Sequence, residues 1–118
     1  MRFMVSLITD GSGLEAASPE EMRAFGERMS AFMGELREAG ALADPGAPLG
    51  PSAEARTLRY GEAGRPVVTD GPFAETKEQT AGYMVLESDD LDAAMEWVGR
   101  MPVLGRPSIE VRPFAEPG

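Results

Sequence analysis

Hydrophobic residues follow two different spacings along this chain. Met22, Phe25, Met29, Phe32, Met33 and Leu36 recur at three- and four-residue steps, the stripe of an amphipathic helix of about five turns. Ser18-Pro19-Glu20-Glu21 marks its start: a serine to accept the third amide, a proline where a missing N–H costs nothing, and a glutamate to close the capping box. Gly40 stands at its C′ position. A second stripe, Leu91, Ala94, Met95 and Val98, predicts a helix over Leu91 to Met101, capped by Ser88-Asp89-Asp90 and stopped by Pro102.

Outside the helices the spacing shortens to that of strands. Phe3 to Ile8 is a β-prone run closed by Asp10-Gly11-Ser12-Gly13, with a loop then reaching Ala17. Pro45, Pro48 and Pro51 restrict Ala41 to Leu49 to an edge or broken strand. Ala55 to Tyr60 alternates, Gly61-Glu62-Ala63-Gly64 turns, and Arg65 to Thr69 returns as a hairpin partner. After Asp70-Gly71-Pro72, Ala74 to Gln79 has room for one helical turn. Gly82 to Glu87 and Ile109 to Phe114 supply two further strands, and the last four residues are expected to fray.

This order predicts a single α+β domain over residues 1–118, a ferredoxin-like sandwich with two helices on one face of a mainly antiparallel sheet. Gly82 to Glu87 is apolar on both faces (Tyr83, Val85; Met84, Leu86). The face opposite the helices therefore calls for a partner, and pairing of two sheets face to face in a homodimer supplies one.

Composition narrows the chemistry. The net charge is −9, and no basic patch offsets it. Such a surface repels phosphate backbones, so nucleic acid is not an expected partner. Histidine and cysteine are absent, which removes imidazole acid–base chemistry, thiol nucleophiles and disulfides. The apolar N-terminal run is too short for a signal peptide or membrane span, so a cytoplasmic location is expected. The preference for arginine over lysine, with abundant Ala, Gly and Pro, hints at a GC-rich bacterial genome.

The segment Asp70-Gly71-Pro72-Phe73-Ala74-Glu75-Thr76-Lys77-Glu78-Gln79 concentrates the special residues. It resembles the signature of the YCII-related family, in its DGPF-domain branch. Glu35-Leu36-Arg37-Glu38-Ala39-Gly40, Gly82-Tyr83, Ala94-Met95-Glu96-Trp97, Arg100-Met101-Pro102 and Ile109-Glu110-Val111-Arg112-Pro113 extend the resemblance along the chain. It implies a dimeric α/β barrel, built from two ferredoxin-like subunits meeting through their sheets. Some relatives are thought to use a histidine–aspartate pair, one branch dehydrochlorinates an aromatic ring, and some DGPF proteins are linked to bacterial sigma factors. Without histidine this chain carries over only Asp70 of such a pair.

The candidate site follows. Asp70 is either a general base or an Asx-type cap of its own turn. Glu75 and Lys77 either line a polar pocket, with the lysine neutralising an anion, or form a solvated turn with Glu78. Tyr83 and Trp97 either stack on an aromatic ligand or belong to the core. Arg112 either faces Asp70 or an anion, or lies at an exposed sheet edge or dimer rim. Phe73 is expected to anchor its loop in the core. Asp70 and Glu75 have no recognised metal-ligand spacing, and neither metal nor cofactor is expected. These residues suit a homodimeric small-molecule-binding domain with its pocket near Asp70. A non-catalytic interaction protein is one alternative, and a lyase-like enzyme working through Asp70 alone is another.

Overall fold

The computed structural model describes residues 1–116; Pro117 and Gly118, half of the tail expected to fray, lie outside the described residues. Strand β1 (Arg2–Thr9) is followed by a short helix α1 (Ser12–Ala16), the long helix α2 (Pro19–Glu38) and strand β2 (Leu42–Pro48). Strands β3 (Arg56–Tyr60) and β4 (Pro66–Asp70) come next, then β5 (Gln79–Glu87), helix α3 (Leu91–Gly99) and β6 (Ser108–Pro113). The main sheet has the order β2-β5-β1-β6 with every pairing antiparallel. Without β3 and β4 this is the split βαβ order of a ferredoxin-like α+β fold.

Local chemistry explains the helices. The Ser18 hydroxyl accepts from the Glu21 amide at 3.1 Å, the Glu21 carboxylate accepts from the Ser18 amide at 3.3 Å, and Pro19 opens α2. Asp90 caps α3 by accepting from the Ala93 amide at 2.8 Å. α3 ends at Gly99, two residues before the end predicted from its stripe. Phe32 and Leu36 of α2 and Val98 of α3 pack on Val5, Met84 and Leu86, so both helices share one face of the sheet. Phe32 meets Trp97 edge-on at 6.2 Å between ring centroids. Trp97 thus joins the core margin, and Arg100 lies over its ring at 4.4 Å.

The proline-rich edge forms as a broken strand. β2 pairs with β5 through two register shifts, either side of Asp44. Gly46 makes the close approach to β5: it sits at φ 62°, and a Cβ there would overlap the Tyr83 carbonyl. Only glycine takes that conformation without strain and leaves that space free.

Three expectations are overturned. Residues 11–17, read as loop, contain α1, although it buries no side chain. Residues 74–79 form no helical turn: the Gln79 side-chain amide donates to the carbonyls of Ala74 at 2.7 Å and Thr76 at 3.0 Å, winding the loop around itself. Phe73 does not enter the core. It is 74% exposed and rests on Arg59, whose guanidinium lies 4.9 Å from the ring centroid and donates to the Phe73 carbonyl.

The hairpin itself forms with the expected partners but as a separate two-stranded sheet, inserted between β2 and β5. Two hydrogen bonds extend its own ladder at the base. The Gly71 amide donates to the Ala55 carbonyl at 2.7 Å, and the Thr57 hydroxyl donates to the Gly71 carbonyl at 2.9 Å.

Candidate functional site

Strand alternation decides which side chains the sheet presents away from α2 and α3. Phe3, Val5, Met84, Leu86 and Val111 occupy the helix-facing positions. Met4, Ser6, Ile8, Tyr83, Val85, Glu110 and Arg112 therefore occupy the opposite, open face. Across it Ser6 pairs with Tyr83 on one side and Glu110 on the other, and Met4 pairs likewise with Val85 and Arg112. Directly opposed residues hold their Cβ atoms within about 5.5 Å, so these six side chains form one continuous patch. Val85, between Met4 and Asp44 in the pairing, is screened to 6% exposure; Tyr83, Glu110 and Arg112 are open to solvent.

The charges within the patch are paired. Arg112 Nη2 donates to Glu110 Oε1 at 2.7 Å, a contact two residues apart on one strand face. Arg112 does not meet Asp70, one of the alternatives open from sequence. A guanidinium already held by one carboxylate keeps further N–H groups to offer a second anion. Two hydroxyls (Ser6, Tyr83), a carboxylate, a guanidinium and an apolar floor can orient a small ligand by hydrogen bonds.

The other candidates lie elsewhere. Asp70 closes β4 at the base of the hairpin, pairs with Arg56 Nε at 3.5 Å, and has a side chain 94% exposed. No backbone amide is hydrogen-bonded to its carboxylate among the described residues, so the turn-cap reading is not what the geometry displays. Glu75 and Lys77 are exposed in the loop wound around Gln79. Tyr83 and Arg112 thus share the sheet face, while Asp70, Glu75 and Lys77 belong to the segment that leads from the hairpin back to β5. Two shallow surface recesses border Trp97 and the start of β1, and none of the five candidates lines them.

Ser6 and Glu110 were missed from sequence, although the period-two run Glu110-Val111-Arg112 carried the signal. In the sequence Asp10 signals only a turn. Its carboxyl is held below the usual carboxylate value, chiefly by the Ser12 side chain and the Ser12 amide, which donates at 2.9 Å, with a small contribution from the charge of Lys77. No three carboxylates among the described residues converge as a metal site would require, and no helix among them is long and apolar enough to cross a membrane.

The model of the YCII-related domain matches residues 1–116. "Uncharacterized protein R00369" of Rhizobium meliloti (strain 1021) is 40% identical over 119 residues, an alignment covering 98% of this chain and 93% of that protein. The family match spans every strand and helix described above, and on that ground the chain belongs to the YCII-related family.

Proposed function

We propose that this protein is a cytoplasmic, homodimeric small-molecule-binding domain rather than an established catalyst. The observation that carries the reading is the patch of Ser6, Tyr83, Glu110 and Arg112 on a sheet face that α2 and α3 leave free. Arg112 is its anion-binding group, with Tyr83 across the intervening strand β1 to stack on or hydrogen-bond a planar ligand. Asp70, Glu75 and Lys77 complete the recess from the segment leading out of the hairpin, once a second subunit covers the open face. Lacking histidine and cysteine, the site has polar groups suited to holding a ligand and few suited to moving protons near neutral pH.

A thermal-shift screen of small aromatic and aliphatic carboxylates tests this. A ligand present at 100 times its Kd stabilises a folded protein by about 2.7 kcal/mol, a shift easily read in a domain this small. The expected result is a shift in the wild type that Arg112→Ala abolishes, Tyr83→Phe weakens, and Asp70→Asn reduces without lowering the unliganded Tm. If Arg112→Ala keeps the full shift, the patch is not the site; if no carboxylate shifts the wild type, the reading falls.

A further inference from the structure

The β3–β4 hairpin is built as though its natural surroundings were missing. Cross-strand pairing places Leu58 opposite Val68 and Tyr60 opposite Pro66 on one face, closed at its base by the Arg56–Asp70 ion pair. Leu58, Val68 and Tyr60 are 49%, 59% and 74% exposed. The opposite face carries Thr57, Thr69, Arg59 and Val67, and Phe73 folds against it through Arg59. An isolated two-stranded hairpin is at best marginally stable in water, and an apolar face of this kind marks an interaction surface.

The dimensions of the chain agree. Its radius of gyration is 16.6 Å, against about 13.5 Å for a compact domain of this length. Its accessible surface is 8523 Å², whereas a compact monomer of this mass exposes about 6,200 Å². The excess, roughly 2,300 Å², is well above the ~800 Å² that each partner contributes to a standard interface and matches the obligate class. Charge indicates what the arm meets. Residues 56–70 carry Arg56, Arg59 and Arg65 against Glu62 and Asp70, a net charge of +1 within a chain of net charge −9. The rest of the chain therefore holds a net −10, and the arm is complementary to the body of another copy.

We propose that the β3–β4 hairpin is an intersubunit arm whose apolar face (Leu58, Tyr60, Pro66 and Val68) lies across the open sheet face of a second copy of this chain. The inference rests on the homodimer reading above and adds the element that secures it. In a two-fold dimer each subunit gives one arm and receives one, so both open faces are covered by one isologous contact. The apolar residues Met4 and Ile8, half-buried in a single chain, gain a cover. The ligand patch then lies beneath a segment donated by the other subunit, and each site is incomplete in a single chain.

Sedimentation velocity over a concentration series, on the full-length wild type and Leu58→Ser/Val68→Ser, is the test. The wild type should be a dimer, and the variant should dissociate with a Kd raised at least ~100-fold, since two apolar side chains per subunit lose their burial. Unchanged far-UV circular dichroism shows that the variant still folds. A second measurement uses the absence of native cysteine: Leu58→Cys chains mixed with Met4→Cys chains should give a covalent heterodimer with a short bis-maleimide. A dimeric wild type whose arm variant keeps its Kd, or whose mixed chains do not cross-link, overturns the arm while leaving the dimeric binding domain in place. A wild type monomeric at all concentrations overturns both.

Discussion

The four-stranded body and the β3–β4 arm are made from the same kinds of residue, yet they reach opposite outcomes. Both contain alternating strands with valine, leucine and tyrosine. In the body, Val5, Met84 and Leu86 meet Phe32, Leu36 and Val98, and the faces that pair are closed to water. In the arm, Leu58 and Val68 meet only each other across a two-stranded ladder, and every residue from Arg59 to Asp70 is exposed. Strand propensity suffices to write a hairpin; a second layer is what gives it stability. The body finds its layer within the chain, and the arm has to find it outside.

The largest contrast should come from truncating one apolar residue in each region. Leu36→Ala removes a fully buried side chain from the α2–sheet contact and is expected to cost about 2–5 kcal/mol in urea unfolding. A loss under 1 kcal/mol would mean the body is no better packed than the arm. Gly46→Ala should cost about 1–3 kcal/mol, because a methyl group is forced both into a left-handed backbone and onto the neighbouring strand. It sharpens the comparison by testing whether the irregular edge belongs to the cooperative body. Leu58→Ala, measured at concentrations where the chain is monomeric, should change stability by no more than about 0.5 kcal/mol. A larger effect would show that the arm is already packed within its own subunit.

The smallest effect concerns the joint between the two regions, where Thr9 pairs with Gln79 and Asp10 follows. The carboxyl of Asp10 titrates below its ordinary value of 3.8 in the folded protein. A depressed carboxylate contributes stability above its unfolded-state pKa and loses it as the pH falls through the folded-state value. Asp10→Asn should therefore be slightly less stable than wild type near neutrality, and the difference should vanish on acidification below that value. Parallel Tm curves down to the acid limit would remove Asp10 from the joint.

The body was legible in the sequence because its signals are local. Ser18, Glu21 and Asp90 declare helix starts through hydrogen bonds spanning three residues, and the stripe ending at Leu36 needs only the helical period. The hairpin was legible for the same reason. Its separation from the main sheet was not, since nothing in the alternation of residues 56–60 says which sheet they join. The loop after Asp70 was misread where one side chain, Gln79, claims the backbone carbonyls a helical turn would have used. Phe73 was misplaced for a similar reason: its partner Arg59 is distant in sequence and becomes adjacent only when the hairpin closes. The candidate patch was half visible. Tyr83 and Arg112 stood out one at a time, whereas Ser6 and Glu110 acquire significance only through cross-strand register.

The packing of Trp97 against Phe32 and Arg100 equips the protein with an internal optical probe. It is the only tryptophan, and the two tyrosines sit on the arm (Tyr60) and on the open sheet (Tyr83). Emission excited at the red edge of indole absorption therefore follows the seam between α2 and α3 and ignores the arm, whereas tyrosine-to-tryptophan energy transfer registers movement of either strand region. Melting of the helical layer and rearrangement of the arm can thus be followed separately in one unlabelled sample.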